Sequence, residues 1–168
     1  MATTTSPPIS NPLIVQLGYL NSILKAQTAD LSQQESLFQP PGGGNCINWL
    51  LGHILTSRNQ ILELLDRPPI WGEEERARYA QGSPAITAPG SGVLEISRLL
   101  EDYEATQTPI LEALAAISDE DLAVKVPWFG GELDKSGVLG GFLFHEAYHV
   151  GQAGLTRRLL GKTSAVGG

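Results

Sequence analysis

The sequence predicts an all-α protein, and within that class a four-helix bundle with long crossover connections. Three observations carry the prediction: four long segments repeat apolar residues at helical spacing, none shows convincing strand alternation, and proline- and glycine-rich links separate them. At 168 residues the chain is the size of one ordinary domain with one sizeable core. We expect a single domain over residues 1–168, with 1–11 as a loose N-terminal arm and 162–168 as a loose C-terminal tail.

The first helix is read from Leu13, Leu17, Leu20, Leu24, Gln27 and Leu31, whose steps of three and four residues make a stripe in which only Gln27 is polar. Pro40, Pro41 and the following glycines break the chain, and Asn45 is expected to N-cap a second helix over about Cys46 to Leu65. Arg67, Pro68 and Pro69 end it. From Asp66 to Gly90 the prolines and glycines predict an irregular connection with one short helical turn around Glu73 to Tyr79.

Ser91 is the expected cap of a third helix. Its apolar positions Val93, Ile96, Leu100, Tyr103, Ile110, Leu114 and Ile117 leave Glu95, Glu101, Asp102, Glu104 and Glu112 on the wet side, and Pro109 is expected to kink it. A second link, Ser118 to Ser136, opens on Ser118-Asp119-Glu120-Asp121, a capping-box pattern for a single turn. The fourth helix is expected from about Gly137 to Leu160, with Gly161 as its stop. A link of about 25 residues can travel the length of a helix that rises only about 30 Å, so the second and third helices are free to run parallel.

A formal charge of -7, with no Lys/Arg cluster beyond Arg157, Arg158 and Lys162, argues against nucleic acid as a partner. No apolar stretch approaches the roughly 20 residues that cross a bilayer, and the Thr/Ser/Pro-rich start lacks a basic and apolar secretion signal. A soluble cytoplasmic protein without membrane partners is expected. The one cysteine, Cys46, rules out an intrachain disulfide and fits a reducing compartment; we read it as structural.

All 3 histidines fall at core-facing positions of two predicted helices. His145 and His149 lie one turn apart on the fourth helix, which suits two cis ligands of one metal. His53 lies on the second, sharing its face with Cys46, Trp49, Ser57, Gln60 and Leu64. The run His145-Glu146-Ala147-Tyr148-His149 also matches the zinc-protease pattern H-E-x-x-H, in which the glutamate is the general base. Its continuations fail, because Gln152 and Leu155 stand where glycine and histidine are needed and no acidic residue follows Glu146. The third ligand must come from upstream, and His53 is the only histidine there.

The Asn-Trp-Leu-Leu-Gly-His block at Asn48 to His53 and the Phe-His-Glu-Ala-Tyr-His-Val-Gly-Gln block at Phe144 to Gln152, followed by Arg157 to Gly161, resemble the DinB/YfiT-like superfamily. The resemblance implies a four-helix bundle in up-down-down-up order and one divalent metal held by His53, His145 and His149. It also implies a homodimer and an activity like that of the metal-dependent thiol S-transferases and thiol-dependent isomerase of that family.

Three imidazoles leave an open coordination position at which a divalent ion lowers the pKa of a bound thiol or water. The expected function is therefore a metal-dependent small-molecule transferase activating a low-molecular-weight thiol or water, with zinc or nickel foremost and iron or manganese also suited. Trp49, Phe142, Tyr148 and Gln152 are the expected substrate-binding residues, and Glu146 is the catalytic candidate. A non-catalytic metal-binding stress-response bundle is the alternative, and an H-E-x-x-H metallopeptidase the weaker one.

Overall fold

The computed structural model describes residues 8–90 and 92–163. In chain order the elements are α1 (Ser10–Thr28), α2 (Gln33–Ser36), α3 (Ile47–Leu64), α4 (Glu73–Arg78), α5 (Ile96–Ala116), α6 (Asp119–Leu122), β1 (Lys125–Trp128), β2 (Gly131–Asp134) and α7 (Lys135–Leu159). The four long helices come from the four periodic segments. Each of α1, α3, α5 and α7 packs on two of the others, α1 and α3 both touching α5 and α7, so the four close a ring around one core.

Cross-links between side chains fix the helix directions. Along α3 and α5, Asn48 reaches the Leu94 carbonyl and Arg58 reaches Thr106 and Gln107, so residue numbers rise together and the pair is parallel. Between α3 and α7, Trp49 packs near His149 while Ser57 meets His145, so that pair is antiparallel. Lys25 of α1 pairs with Glu104, and Ile9, at its start, with Asp119, so α1 runs against α5. The order is up-down-down-up. The helix α3 is the central one, with 14 of its 18 residues buried.

Helix ends depart from the expected ones. Cys46, not Asn45, is the N-cap residue of α3 and makes no side-chain cap. The third long helix starts at Ile96 with Glu95 at the N-cap; Ser91 lies outside the described residues. The first helix begins at Ser10, inside the expected arm, with Pro12 in its first turn, where a missing N–H costs nothing. It ends at Thr28, leaving Leu31 buried beyond it. The arm before residue 8 and the tail after 163 lie outside the described residues, but Lys162 is not loose: it pairs with Asp30 and Glu35. The turn α2 was not expected; Ser32 and Glu35 close it as a capping box.

One assignment of polarity is corrected. Asp102, expected on the wet side, is buried because it accepts the Trp71 indole N–H at 2.8 Å while holding Arg98. Gln107, one turn after Tyr103, is buried as well, and its amide oxygen receives Arg58 at 2.9 Å. The helix continues through Pro109 without interruption.

The second link holds a β-hairpin that alternation did not reveal, because each strand has only 4 residues and Pro127 interrupts the pattern. Trp128 pairs with Gly131. Phe129 and Gly130 between them both have positive φ, 41° and 82°, the conformation that tight two-residue hairpin turns require. At the end of β2, Asp134 accepts the Gly137 N–H at 2.7 Å, so the hairpin leads directly into the capped start of α7. No helix of the described residues is long and apolar enough to cross a membrane.

Candidate metal centre

Antiparallel packing of α3 on α7 brings His53 against the His145–His149 pair. The His145 Nε2 lies 3.1 Å from the His53 Nε2 and 3.0 Å from the His149 Nε2. Ligand atoms of all three residues lie within 4.8 Å of one another. Two imidazole nitrogens at about 2.0–2.1 Å from one zinc-like ion stand about 2.9 Å apart at a right angle and about 3.3 Å apart at the tetrahedral angle. The observed spacings fall in that interval, so the donor set fits a single ion and could hold one.

The opposite edge of each ring is anchored. The His53 Nδ1 lies 2.8 Å from the Tyr79 carbonyl, the His145 Nδ1 lies 3.2 Å from the Ser57 hydroxyl, and the His149 Nδ1 lies 2.7 Å from the Gln152 amide oxygen. A carbonyl oxygen can only accept, so the proton of His53 and of His149 sits on Nδ1 and the Nε2 lone pair faces the cluster; Ser57 can accept from His145 in the same way. With the proton of each ring on Nδ1, three lone pairs at this spacing repel unless a cation lies among them.

Burial lowers the affinity of all three rings for a second proton. For His145, burial and then its two histidine neighbours depress the pKa to about 4. His53 and His149 are lowered by burial against the opposing effect of the Tyr79 and Gln152 hydrogen bonds. Neutral imidazoles at physiological pH are the form that binds metal.

Comparison with known proteins bears on the same residues. The family model described as the DinB superfamily matches residues 21–153, a span that holds all three histidines. The chain belongs to the DinB superfamily. A conserved protein from Enterococcus faecalis shares its fold, with a TM-score of 0.73, 20% identity and coverage of 94% of this chain and 100% of that one. A DinB-like protein from Bacillus cereus does so with a TM-score of 0.62, 22% identity and coverage of 90% and 93%. The chain matches no curated protein.

In this DinB-superfamily chain the other expected site residues divide into two groups. Phe142 and Tyr148 line a cavity of about 610 Å³ beside His53 and His145. Trp49 and Gln152 do not. Trp49 is buried behind the centre, stacked on the His53 ring at 4.5 Å between centroids, with its indole N–H on Ser83. Gln152 orients His149 through its oxygen while its amide donates to the Tyr148 hydroxyl at 3.1 Å.

Glu146 is neither on the surface nor in the cavity lining: it is 1% exposed, and both its oxygens are engaged. Arg58 donates to them at 3.0 and 2.8 Å, and the Tyr103 hydroxyl donates to the second at 2.8 Å. The remaining Arg58 N–H groups reach Tyr103, Thr106 and Gln107, and its guanidinium lies 3.7 Å above the Tyr103 ring. The second residue of the H-E-x-x-H pattern is thus a structural ion pair tying α7 to α3 and α5. One residue along a helix turns the side chain by about 100°, enough to send Glu146 into the core while His145 faces the cavity.

Several lining residues were not anticipated. The hairpin contributes Trp128 and Phe129, the α4 link contributes Ala80 and Gln81, and α3 contributes Thr56. Ser57 and Gln60 also line it, and the face-mates of His53 already included them. For Trp128 and Phe129 the available signal was two adjacent aromatics between Pro127 and Gly130, which polar turns do not carry.

Proposed function

We propose that His53, His145 and His149 hold one divalent transition-metal ion, zinc or nickel foremost, with iron or manganese also suited to the donors. On this reading the chain is a metal-dependent small-molecule transferase that activates a low-molecular-weight thiol or a water molecule. The observation that carries it is the convergence of three Nε2 atoms whose rings are each held at Nδ1 by an oxygen, an obligate acceptor for His53 and His149 and a hydroxyl able to accept for His145. A bound ion supplies Lewis acidity, drawing the pKa of a coordinated thiol or water toward neutrality.

The chain's own residues do the rest. His53 and His145 line the cavity, so a small molecule entering it lies against two of the three imidazoles. Trp49 covers the far side of His53 and excludes water there. The cavity favours turnover over the alternative of a non-catalytic metal-binding bundle. The metallopeptidase reading loses its general base to the Arg58 ion pair.

Elemental analysis of protein purified without a metal-affinity tag tests the centre: about one ion per chain is expected, and loss of it in His149→Ala. Wild-type protein without stoichiometric metal, even after reconstitution, refutes it. Conjugation assays pairing small thiols with electrophiles then test turnover, and metal-loaded protein that turns over nothing would leave the non-catalytic bundle.

We also propose a homodimer. Val15 and Tyr19 on α1 and Phe144, Tyr148, Leu155 and Leu159 on α7, which packs against it, are exposed apolar side chains, with Tyr19 beside Phe144, and they support self-association. The cytoplasm is the proposed compartment, consistent with the buried free thiol of Cys46.

A further inference from the structure

We infer that the cavity beside the histidines takes a flat aromatic or conjugated molecule with one metal-ligating heteroatom, uncharged elsewhere, and selects against ligands carrying a second, ionised group. The inference rests on the proposed metal centre only for the donor end of the ligand.

The lining carries it. One wall is aromatic, built by Trp128, Phe129 and Phe142, whose rings meet edge to face at 4.6 and 5.2 Å between centroids. Such a wall offers ring faces and edges to a flat ligand. The polar groups on the cavity are neutral: besides the histidines they are the Thr56 and Ser57 hydroxyls, the Gln60 and Gln81 amides and the Tyr148 phenol. Among the described residues, no Lys, Arg, Asp or Glu lines it.

Away from the ring nitrogens, a carboxylate, phosphate or ammonium group gives up hydration with no oppositely charged side chain among the described lining residues to replace it. The buried guanidinium behind the centre, Arg58, is already neutralised by Glu146. The net charge of -7 further disfavours anions approaching from solution. A volume of about 610 Å³ lies within the range that accommodates small organic ligands. Gly141 sets part of that room, because a Cβ there would stand 3.1 Å from Cζ2 of Trp128, a contact so tight that the indole would have to give way slightly.

Two probe pairs test this by binding rather than by activity. On zinc-loaded protein, calorimetry compares thiophenol with 4-mercaptobenzoate, which differ by a carboxylate remote from the sulfur. On metal-free protein, an NMR titration following the Trp128 indole compares indole with indole-3-acetate. At least a tenfold preference for the neutral member of each pair is expected, and Gln60→Arg, at an exposed position, is expected to shrink it several-fold. Equal or tighter binding of the charged member, or binding of neither, overturns the inference. Should the protein bind no zinc, a preference retained by the metal-free pair upholds the cavity assignment while refuting the metal centre.

Discussion

At the scale of single residues, the imidazoles of this DinB-superfamily chain gain their chemistry from what each ring's outer nitrogen touches. His53 takes its orientation from the Tyr79 carbonyl, 26 residues away in sequence, and His149 from Gln152 one turn on. Their depressed proton affinity makes the metal-free fold sensitive to acid in a definite direction. The unfolded chain titrates these rings near about 6.5, whereas burial holds His145 down to about 4 in the fold. Between those values the unfolded state binds more protons, so stability is full above about pH 6.5 and declines as pH falls toward 4. Thermal melts of metal-free protein across that window should show a falling midpoint, flattened in His145→Gln; a wild-type profile as flat as the variant's would contradict the burial of the rings.

At the scale of elements, the 66–90 link is pinned to the core through Trp71, Tyr79 and Ile86. Asn59 accepts the backbone N–H groups of Ile70 and Trp71, the Tyr79 hydroxyl joins Asn48 to the Leu94 N–H, and Tyr79 itself is fully buried. Gly52 makes this docking possible, because a Cβ there would lie 2.1 Å from Cδ1 of Tyr79. Gly52→Ala should destabilise the protein by about 1–3 kcal/mol through overpacking. It should also weaken metal retention, since the displaced Tyr79 carries the carbonyl that orients His53. Denaturant midpoints and metal competition curves measure the two effects, and an unchanged metal affinity alongside lost stability would separate the link from the centre.

Helices were legible as elements because stripes such as Leu13, Leu17, Leu20 and Leu24 express the 3.6-residue period in side chains that are in fact buried. The hairpin was not: strands of 4 residues hold too few alternations to be seen, and their stability comes from packing Trp128 on Phe142.

At the scale of the whole molecule, the Arg58–Glu146 pair ties three of the four long helices together at the level of the histidines. Removing one member leaves the other charge buried, so Glu146→Leu should cost about 3–5 kcal/mol by chemical denaturation. Adding Arg58→Met should recover part of that loss, because the remaining charge goes with it. A double variant no more stable than the single one would show that the other Arg58 partners, not the ion pair, dominate. The proposed dimer belongs to this scale too: sedimentation should give twice the 18.0 kDa chain mass, reverting toward the monomer in Tyr19→Glu/Leu155→Glu. A monomeric wild type would remove that proposal.

Local physics sufficed for the four long helices and for singling out the three histidines that converge, since helical spacing and proline and glycine breaks are all written within a few residues. It also sufficed to set aside the longer protease patterns after His149. The role of Glu146 was beyond its reach: whether a glutamate next to a cavity-lining histidine faces the cavity or a buried arginine depends on which helix packs against α7 and at what height. The cavity walls were equally out of reach, because Trp128, Gln81 and Phe142 meet only when the hairpin, the α4 link and α7 converge. The periodicity of a segment reveals that it has an inner face; only the packing of other segments against that face decides which charge, carbonyl or ring each inner residue meets.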